Sequence, residues 1–480
     1  MNTVKVLIAS ALAALAVPCA HCAISLPDIV GDNMVVQQNS DVRLWGWATP
    51  GRSVTVAGSW NPDRKVSARA GSDGRWTVEL PTPAASFEPQ TISISGDGSD
   101  ITVGNVLVGE VWFCSGQSNM EMPLRGFWTQ PVEGAAQAIA YSGKYPGIRV
   151  ATVPKLAAYT PQDRVTSPWK ESKPENAAEF SALAYFFAQS LTDILDVPVG
   201  IISCAYGGSK VEGWQSREQL ALYPEWDVDA EAANPDISEW ERINVMYNAM
   251  LHPLIGYNVR GFLWNQGESN VGRHDTYPAH QRDMVAEWRH KWNLGELPFY
   301  FVEIPGWEYG NPDGDEAALF RECQHKAAEI TPNSGIVCTS DLVYPYEVKD
   351  IHARKKREIG ERLAFMAAAR TYGVAGVPDE YPRFKEMTVD GSNAVLTFDG
   401  APGGFTPNQE LEGFEAAGAD GVFRPAVARE NPKTLAIEIS CPEAGEIKNV
   451  RYNFKNFAIG KVFNMMGMPL IPFRTDGQAQ

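Results

Sequence analysis

The stretch Phe113-Cys114-Ser115-Gly116-Gln117-Ser118-Asn119-Met120 marks the point where an apolar run gives way to small and polar residues. Residues 108–114 are mostly apolar, which is typical of a buried strand, and Gly116 permits a tight turn directly after it. Ser118 therefore falls where a strand passes into a turn or a helix. This position can hold a hydroxyl at the edge of a sheet, beside backbone N–H groups that can receive an oxyanion.

Outward from this stretch, largely apolar runs alternate with helical patterns over residues 107–375. The strand candidates are Val108–Cys114, Val199–Cys204, Val259–Trp264, Phe299–Ile304 and Gly335–Ser340. The helix candidates are Ala177–Leu195, His280–Trp292, Ala317–Ile330 and Ala353–Thr371. Such alternation predicts an α/β fold, a parallel sheet with helices on both faces. Functional sites in these sheets form at the carboxyl ends of the strands.

Regions rich in strand-type residues flank this α/β region, and 480 residues are too many for one ordinary core. Short alternating runs divided by turn signals over residues 24–106 predict an N-terminal β-sandwich. Residues 376–480 return to strand-like runs such as 434–439 and predict a C-terminal β-rich region. Residues 224–244, rich in Glu, Asp, Ala and Asn, predict a surface excursion from the α/β core.

Residues 1–23 have the pattern of an export signal peptide. Lys5 gives a weak positive start, residues 6–17 are apolar, and small residues follow. This run is too short to span a bilayer as a stable helix, and no other segment of membrane-spanning length is evident. Pro18 before Cys19 disfavours a lipid anchor. We therefore expect an exported protein, periplasmic or secreted, without a membrane span.

The chain is acidic, with a formal net charge of −17. Such a charge disfavours binding to nucleic acid or to anionic membranes, and an acidic ligand would need a local basic patch. Five of the seven cysteines follow the signal and lie among apolar residues, which predicts buried thiols, with one disulfide as an alternative. The 14 Trp and 16 Tyr are interpreted mainly as core residues, with stacking on sugar rings as the functional alternative for the rest.

A histidine far downstream can complete a hydrolytic site with Ser118. His352 follows Asp350 by two residues, and a carboxylate so close can hold one ring nitrogen and leave the other as a base. The alternative for this segment is a solvated charge cluster, because several Lys and Arg residues surround it. Gly207-Gly208 can present backbone N–H groups, and the amides of Asn265-Gln266 add side-chain donors for an oxyanion hole.

The sequence gives little support for a metal or an organic cofactor. The histidines between residues 252 and 325 fall at no zinc spacing, and none pairs with a suitable cysteine. No phosphate-binding loop or dinucleotide fingerprint occurs. We therefore predict catalysis without a cofactor.

Taken together, the motifs of this chain resemble those of the sialate O-acetylesterase family, a branch of the SGNH (GDSL-like) hydrolases. The motifs that carry the resemblance are Gly116-Gln117-Ser118-Asn119-Met120, Gly207-Gly208-Ser209 with Glu212 and Trp214, Trp264-Asn265-Gln266-Gly267-Glu268-Ser269-Asn270, and Asp350-Ile351-His352. The resemblance covers roughly residues 107–375 and implies an SGNH (flavodoxin-like) sheet.

The resemblance also implies roles for individual residues. Ser118 would be the nucleophile and His352 the general base and acid, with Asp350 as the orienting carboxylate. The N–H of Ser118, an N–H of Gly207 or Gly208, and the Gln266 side chain would stabilise the oxyanion. Many SGNH enzymes carry the orienting Asp three residues before the His, where this chain has Lys349. A Ser–His dyad aided by another carboxylate is therefore an alternative.

Further candidates for substrate contact lie within or beside these motifs: Asn119, Glu268 and Trp214. The predicted function is removal of O-acetyl groups from sugars, with sialic acid favoured and acetylated xylan or other plant glycans as alternatives. Two further classes stay open. A glycosidase would use carboxylates such as Glu212 and Glu268 and release sugar, not acetate. A non-catalytic carbohydrate-binding protein would be inert to aryl acetates.

Overall fold

The structure of the protein, a computed structural model, describes residues 24–408 and 410–477. The predicted export signal lies outside these residues. Among the described residues, no helix is both long enough and apolar enough to cross a membrane. The five cysteines of this part of the chain are free and buried, which confirms the prediction of buried thiols.

Seven strands form the N-terminal part of the chain. They are β1 (Val35–Gln37), β2 (Asp41–Trp47), β3 (Ser53–Gly58), β4 (Val66–Arg69), β5 (Arg75–Pro81), β6 (Ser86–Gly96) and β7 (Ser99–Gly116). β2 pairs with β5, and β3 pairs with β4 and β6, all antiparallel. Trp45 and Trp76 are buried in the core of this layer. The region is all-β, as the alternating pattern predicts.

The long strand β7 connects the N-terminal region to the α/β region. Its first half pairs antiparallel with β6, and its second half lies between two parallel strands of the central sheet. The predicted boundary between residues 106 and 107 therefore falls inside one continuous strand. Trp112 and Phe113, adjacent on β7, point to opposite faces of the sheet, because successive side chains of a strand alternate.

The central sheet contains β7 and six further strands. These are β8 (Ile148–Thr152), β9 (Trp169–Glu171), β10 (Val199–Ala205), β11 (Gly261–Asn265), β12 (Phe299–Val302) and β13 (Ser334–Val337). Their order is β13-β12-β11-β7-β10-β8-β9. All neighbours are parallel except the edge pair β8 and β9. The predicted strands are confirmed within a few residues; β8 and β9 were not predicted.

Helices cover both faces of this sheet, as predicted. The α-helices are α1 (Ser118–Glu121), α2 (Ala135–Ala140), α3 (Pro174–Ala177), α4 (Ala182–Leu195), α5 (Arg217–Leu220), α6 (Val228–Ala233), α7 (Tyr277–Trp292), α8 (Glu316–Ile330) and α9 (Lys356–Met366). On one face Trp112 packs edge-on against Phe187 of α4, and on the other Phe113 packs against Trp288 and Trp292 of α7. Each face thus has its own apolar core.

The C-terminal region is β-rich and has a separate apolar core. Its strands are β14 (Arg383–Asp390), β15 (Asn393–Asp399), β16 (Phe405–Thr406), β17 (Phe414–Ala417), β18 (Arg424–Pro425), β19 (Val427–Glu430), β20 (Ile437–Ser440), β21 (Asn449–Tyr452), β22 (Phe463–Asn464) and β23 (Phe473–Arg474). They form sheets in the orders β14-β15-β20-β19 and β18-β17-β21-β23, with a separate β16-β22 pair. Arg474 forms an ion pair with Glu322 of α8, which ties this region to the α/β region.

Candidate active site

Ser118 lies directly after the central strand β7, as the first residue of α1. Gly116 makes this turn with a φ of +138°, a conformation that residues with a side chain rarely adopt. A Cβ atom at residue 116 would lie 2.0 Å from the carbonyl oxygen of Asn265 on β11. The neighbouring Gln117 N–H donates to that same oxygen at 2.9 Å. Gly116 and Gln117 therefore hold the serine turn against β11, the neighbour of β7 in the sheet. Ser118 itself stays partly exposed.

The glycine pair after β10 lies beside Ser118. A Cβ atom on Gly207 would be only 3.3 Å from the Ser118 Cβ, so the close approach depends on glycine. The Gly207 N–H donates to the Glu121 carboxylate at 2.6 Å and is therefore engaged within the protein. Across residues 24–408 and 410–477, the N–H groups of Ser118 and Gly208 have no hydrogen-bond partner. These two N–H groups are the donors that remain available for an oxyanion.

Gln266, the third predicted oxyanion donor, is fully buried at the end of β11. Its amide donates to the Ser209 carbonyl at 3.1 Å and to the Asn270 side chain at 2.7 Å, and its oxygen accepts from the Tyr277 hydroxyl. Both amide hydrogens are thus engaged in holding the loops after β10 and β11 together. An oxyanion role for Gln266 would require this amide to exchange a partner.

The histidine segment meets the serine turn although the two are far apart in the chain. The Asn119 side-chain amide donates to the Ile351 carbonyl at 3.1 Å, a contact across 232 residues of sequence. His352, next to Ile351, is partly buried, and its ring packs edge-on against Phe127 at 5.0 Å between centroids. No hydrogen bond joins His352 to Ser118 within the part of the chain that the structure describes.

The expected orienting carboxylate does not contact the imidazole. Asp350 lies 3.7 Å from the guanidinium of Arg354, and the Nδ1 atom of His352 is instead 2.6 Å from the Oε1 atom of Gln130. Burial and the charge of Lys356 lower the pKa of His352 to about 4, with Asp350 opposing them in part. The ring is therefore neutral at pH 7, which is the state that a general base requires.

Asn119 and Glu268, two predicted substrate contacts, belong to a buried polar network under the site. The Asn119 amide donates to Glu268, and its oxygen accepts from the Lys356 ammonium group. Burial raises the pKa of Glu268 and lowers the pKa of Lys356 to about 8. The network links the serine turn to the loop after β11 and to the start of α9.

Trp214 and Glu212 lie inside the protein rather than at an open surface. The Trp214 indole is fully buried, packs edge-on against Trp264 and donates to the Ser209 hydroxyl. Glu212 is buried and is bound by Arg273 at 2.9 Å and by Asn270 at 3.0 Å. These contacts are those of a scaffold, and the Trp214 side chain offers no exposed face to a substrate.

A cavity of about 220 Å³ adjoins the site at the carboxyl ends of β8 and β10. Its lining includes Glu121, which holds Gly207, and Phe127, which packs on His352. Two cations also line it: Lys155, 2.9 Å from Glu121, and Arg125, paired with Glu179. The cavity is thus a mixed-charge pocket that borders α1, the helix that begins at Ser118, through Glu121.

The surface excursion of residues 224–244 borders the glycine pair. Trp240 lies against Gly208, where a Cβ atom would come within 2.6 Å of the indole, and Glu239 accepts from the Tyr206 hydroxyl at 2.7 Å. Trp240 is about half exposed at 47%. The excursion thus presents a half-exposed aromatic ring beside the glycine pair, a surface on which a sugar ring can stack.

Sequence reasoning missed Gln130, Phe127 and Lys356. Nothing in the local pattern distinguishes Gln130 from a surface glutamine, and Lys356 stands in a run of cations that suggested a solvated cluster. Only the fold shows that Lys356 alone of the 354–357 run is buried. No group of three potential metal ligands is found within the described residues.

Comparisons with known proteins show the family to which the chain is similar. The family model of carbohydrate esterases described as sialic acid-specific acetylesterases matches residues 108–369. Sialate O-acetylesterase of Mus musculus is 28% identical over 432 residues, which cover 77% of this chain and 78% of the mouse protein. The Homo sapiens enzyme of the same name is 28% identical over 389 residues, 74% of this chain and 72% of that protein.

A solved structure has the same fold over nearly the whole chain. A carbohydrate acetylesterase from Xanthomonas citri superposes with a TM-score of 0.84 at 31% identity, covering 95% of this chain and all of the other. The matching family model and these relatives define a carboxylic-ester hydrolase. Within that class, the chain belongs to the sialic acid-specific acetylesterase family of carbohydrate esterases.

Proposed function

We propose that the protein hydrolyses acetyl esters on sugar hydroxyls, with Ser118 as the nucleophile and His352 as the general base. The observation that carries this proposal is the Asn119–Ile351 hydrogen bond, which brings the serine turn and the histidine segment into one site. Burial and the charge of Lys356 lower the pKa of His352, so the ring is unprotonated at physiological pH and able to accept a proton.

The proposed reaction proceeds through an acyl-enzyme. His352 takes the proton of the Ser118 hydroxyl as the oxygen attacks the ester carbonyl. The N–H groups of Ser118 and Gly208 receive the negative charge on the former carbonyl oxygen. The C–O bond to the sugar breaks, and the sugar oxygen leaves with the proton from His352. Water then repeats these steps on the acetyl-serine and releases acetate.

Sialic acid is the favoured sugar in this proposal, because the family and the relatives at 28% identity carry that name. An acidic sugar in an acidic protein needs a local cation. Lys155 and Arg125 in the cavity beside Glu121 are the candidates for binding its carboxylate. Acetylated xylan and other neutral plant glycans remain the alternative substrates. Export through residues 1–23 is also part of the proposal.

The experiment is acetate release from O-acetylated sialic acid and from acetylated xylo-oligosaccharides, using the wild type and Ser118→Ala. We expect the wild type to release acetate from the ester and to leave the glycosidic bonds of the xylo-oligosaccharides intact, and we expect a loss of several orders of magnitude in kcat for the variant. Lys155→Met should raise KM for the sialic acid ester and leave KM for the neutral ester unchanged. Wild-type rates from Ser118→Ala would refute the proposed nucleophile, and shortening of the xylo-oligosaccharide chains without acetate release would indicate a glycosidase.

A further inference from the structure

The orienting partner of His352 in this structure is a neutral amide on a short loop after α1. Phe127 and Gln130 close this loop with two backbone hydrogen bonds, of 3.0 and 3.1 Å. Gly126 and Thr129 both have positive φ, +78° and +63°. A Cβ atom at residue 126 would lie 2.5 Å from the Gln130 carbonyl. The backbone of Gln130 is therefore held in one position by the turn itself.

From this loop, two side chains contact the imidazole of His352. The Phe127 ring packs edge-on against it, and the Oε1 atom of Gln130 lies 2.6 Å from Nδ1. A carbonyl oxygen can only accept a hydrogen bond, so Nδ1 must carry the proton. The other nitrogen, Nε2, is then unprotonated and is the one able to accept the proton of a serine hydroxyl.

We propose that Gln130 is the positioning residue of the general base: it fixes the ring and the tautomer of His352 in place of an aspartate. The inference rests on the proposed Ser118–His352 mechanism. Asp350, two residues before the histidine, is held by Arg354 at 3.7 Å and makes no hydrogen bond to His352 among the described residues.

A neutral partner has a consequence that a carboxylate does not. An aspartate favours the charged imidazolium and raises the pKa of a histidine, whereas an amide oxygen adds no net charge. The ring of His352 thus experiences burial and the positive charge of Lys356 without an anion at Nδ1, in agreement with its pKa of about 4. His352 therefore stays unprotonated in acid, but it is a weaker base than a histidine that is paired with a carboxylate.

Three single variants test the role of Gln130. Gln130→Leu removes the acceptor, and we expect kcat to fall about 100-fold with KM within twofold of wild type, because the ring is no longer oriented. Gln130→Glu keeps an acceptor and adds charge, so activity at pH 8 should persist while the acid limb of the kcat/KM profile moves up by about one unit or more. Asp350→Asn should retain kcat within about threefold.

Gln137→Leu is the matched control, because Gln137 is an exposed glutamine a few residues further on and makes no side-chain hydrogen bond within the described chain. Near-wild-type kcat for Gln130→Leu, an inactive Gln130→Glu, or an Asp350→Asn variant as impaired as Gln130→Leu would each overturn the inference. Failure of the proposed mechanism itself is distinguishable, since Ser118→Ala would then remain active whatever the Gln130 variants do.

Discussion

The acid limit of activity is set by the two charges and the burial around His352. Because its pKa is lowered to about 4, the ring stays neutral and competent as a base down to that pH. Below it the ring is protonated, and kcat/KM should fall about tenfold per pH unit. An unperturbed histidine, with a pKa near 6.5, would place the same limb about 2.5 pH units higher.

Lys356 is the part of this environment that a single substitution can remove. Its ammonium group is buried under the site and binds Asn119, and its charge is the second cause of the low His352 pKa after burial. Because burial is the larger cause, Lys356→Met should raise the pKa of His352 by less than half of the amount by which it is lowered in the wild type. We expect the acid limb of kcat/KM to move up by about one pH unit.

The assay is hydrolysis of a neutral aryl acetate between pH 3 and pH 8 at constant ionic strength, with circular dichroism at each pH to confirm folding. Lys355→Met is the matched control, because it removes the same charge one residue earlier, from an ammonium group that lies over the Tyr344 ring. The reasoning would be refuted if the acid limb of the wild-type kcat/KM profile lay near pH 6.5, or if both lysine variants shifted that limb equally.

Three further predictions concern packing around the site. Gly116→Ala should lower the free energy of unfolding in urea by about 3 kcal/mol or more, because the new Cβ atom would sit at a φ of +138° and only 2.0 Å from the Asn265 carbonyl oxygen. Gly143→Ala is the control and should leave the stability unchanged, because a Cβ atom there has no other atom within 4 Å. Gly207→Ala should lower kcat more than it lowers Tm, because its Cβ presses on Ser118 and Glu121; an unchanged kcat would contradict this. In protein lacking residues 1–23, the five buried thiols should react with Ellman's reagent only after denaturation, and burial also raises the pKa of the Cys204 thiol. Labelling of any of these five cysteines in the native protein, located by peptide mass spectrometry, would contradict their placement.

Much of the fold is predictable because it depends on local pattern. The parallel strands are continuous apolar runs, and α4, α7 and α8 begin within a few residues of the helical patterns that predict them. The short edge strand β9 has only three residues and carries no such signal. The 106/107 boundary falls inside β7 because a change in composition along the chain does not require a break in the strand.

The site is less predictable, because its contacts join residues far apart in sequence. Motif resemblance points to Ser118 and His352, and the structure brings their segments together through Asn119. The hydrogen-bond partner of the His352 Nδ1 atom could not be predicted, because Gln130 lies 222 residues earlier and no local pattern links the two residues. Likewise Gln266 carries the right chemistry for an oxyanion donor, but the fold engages its amide with Ser209 and Asn270.

Covalent labelling of Ser118 tests the central claim most directly. The protein is treated with a serine-directed fluorophosphonate, and the modified residue is located by peptide mass spectrometry in the wild type, in Ser118→Ala and in His352→Ala. We expect one adduct, on Ser118, absent from the first variant and formed far more slowly in the second. An adduct on another residue, or labelling of Ser118 at the wild-type rate without His352, would contradict the account.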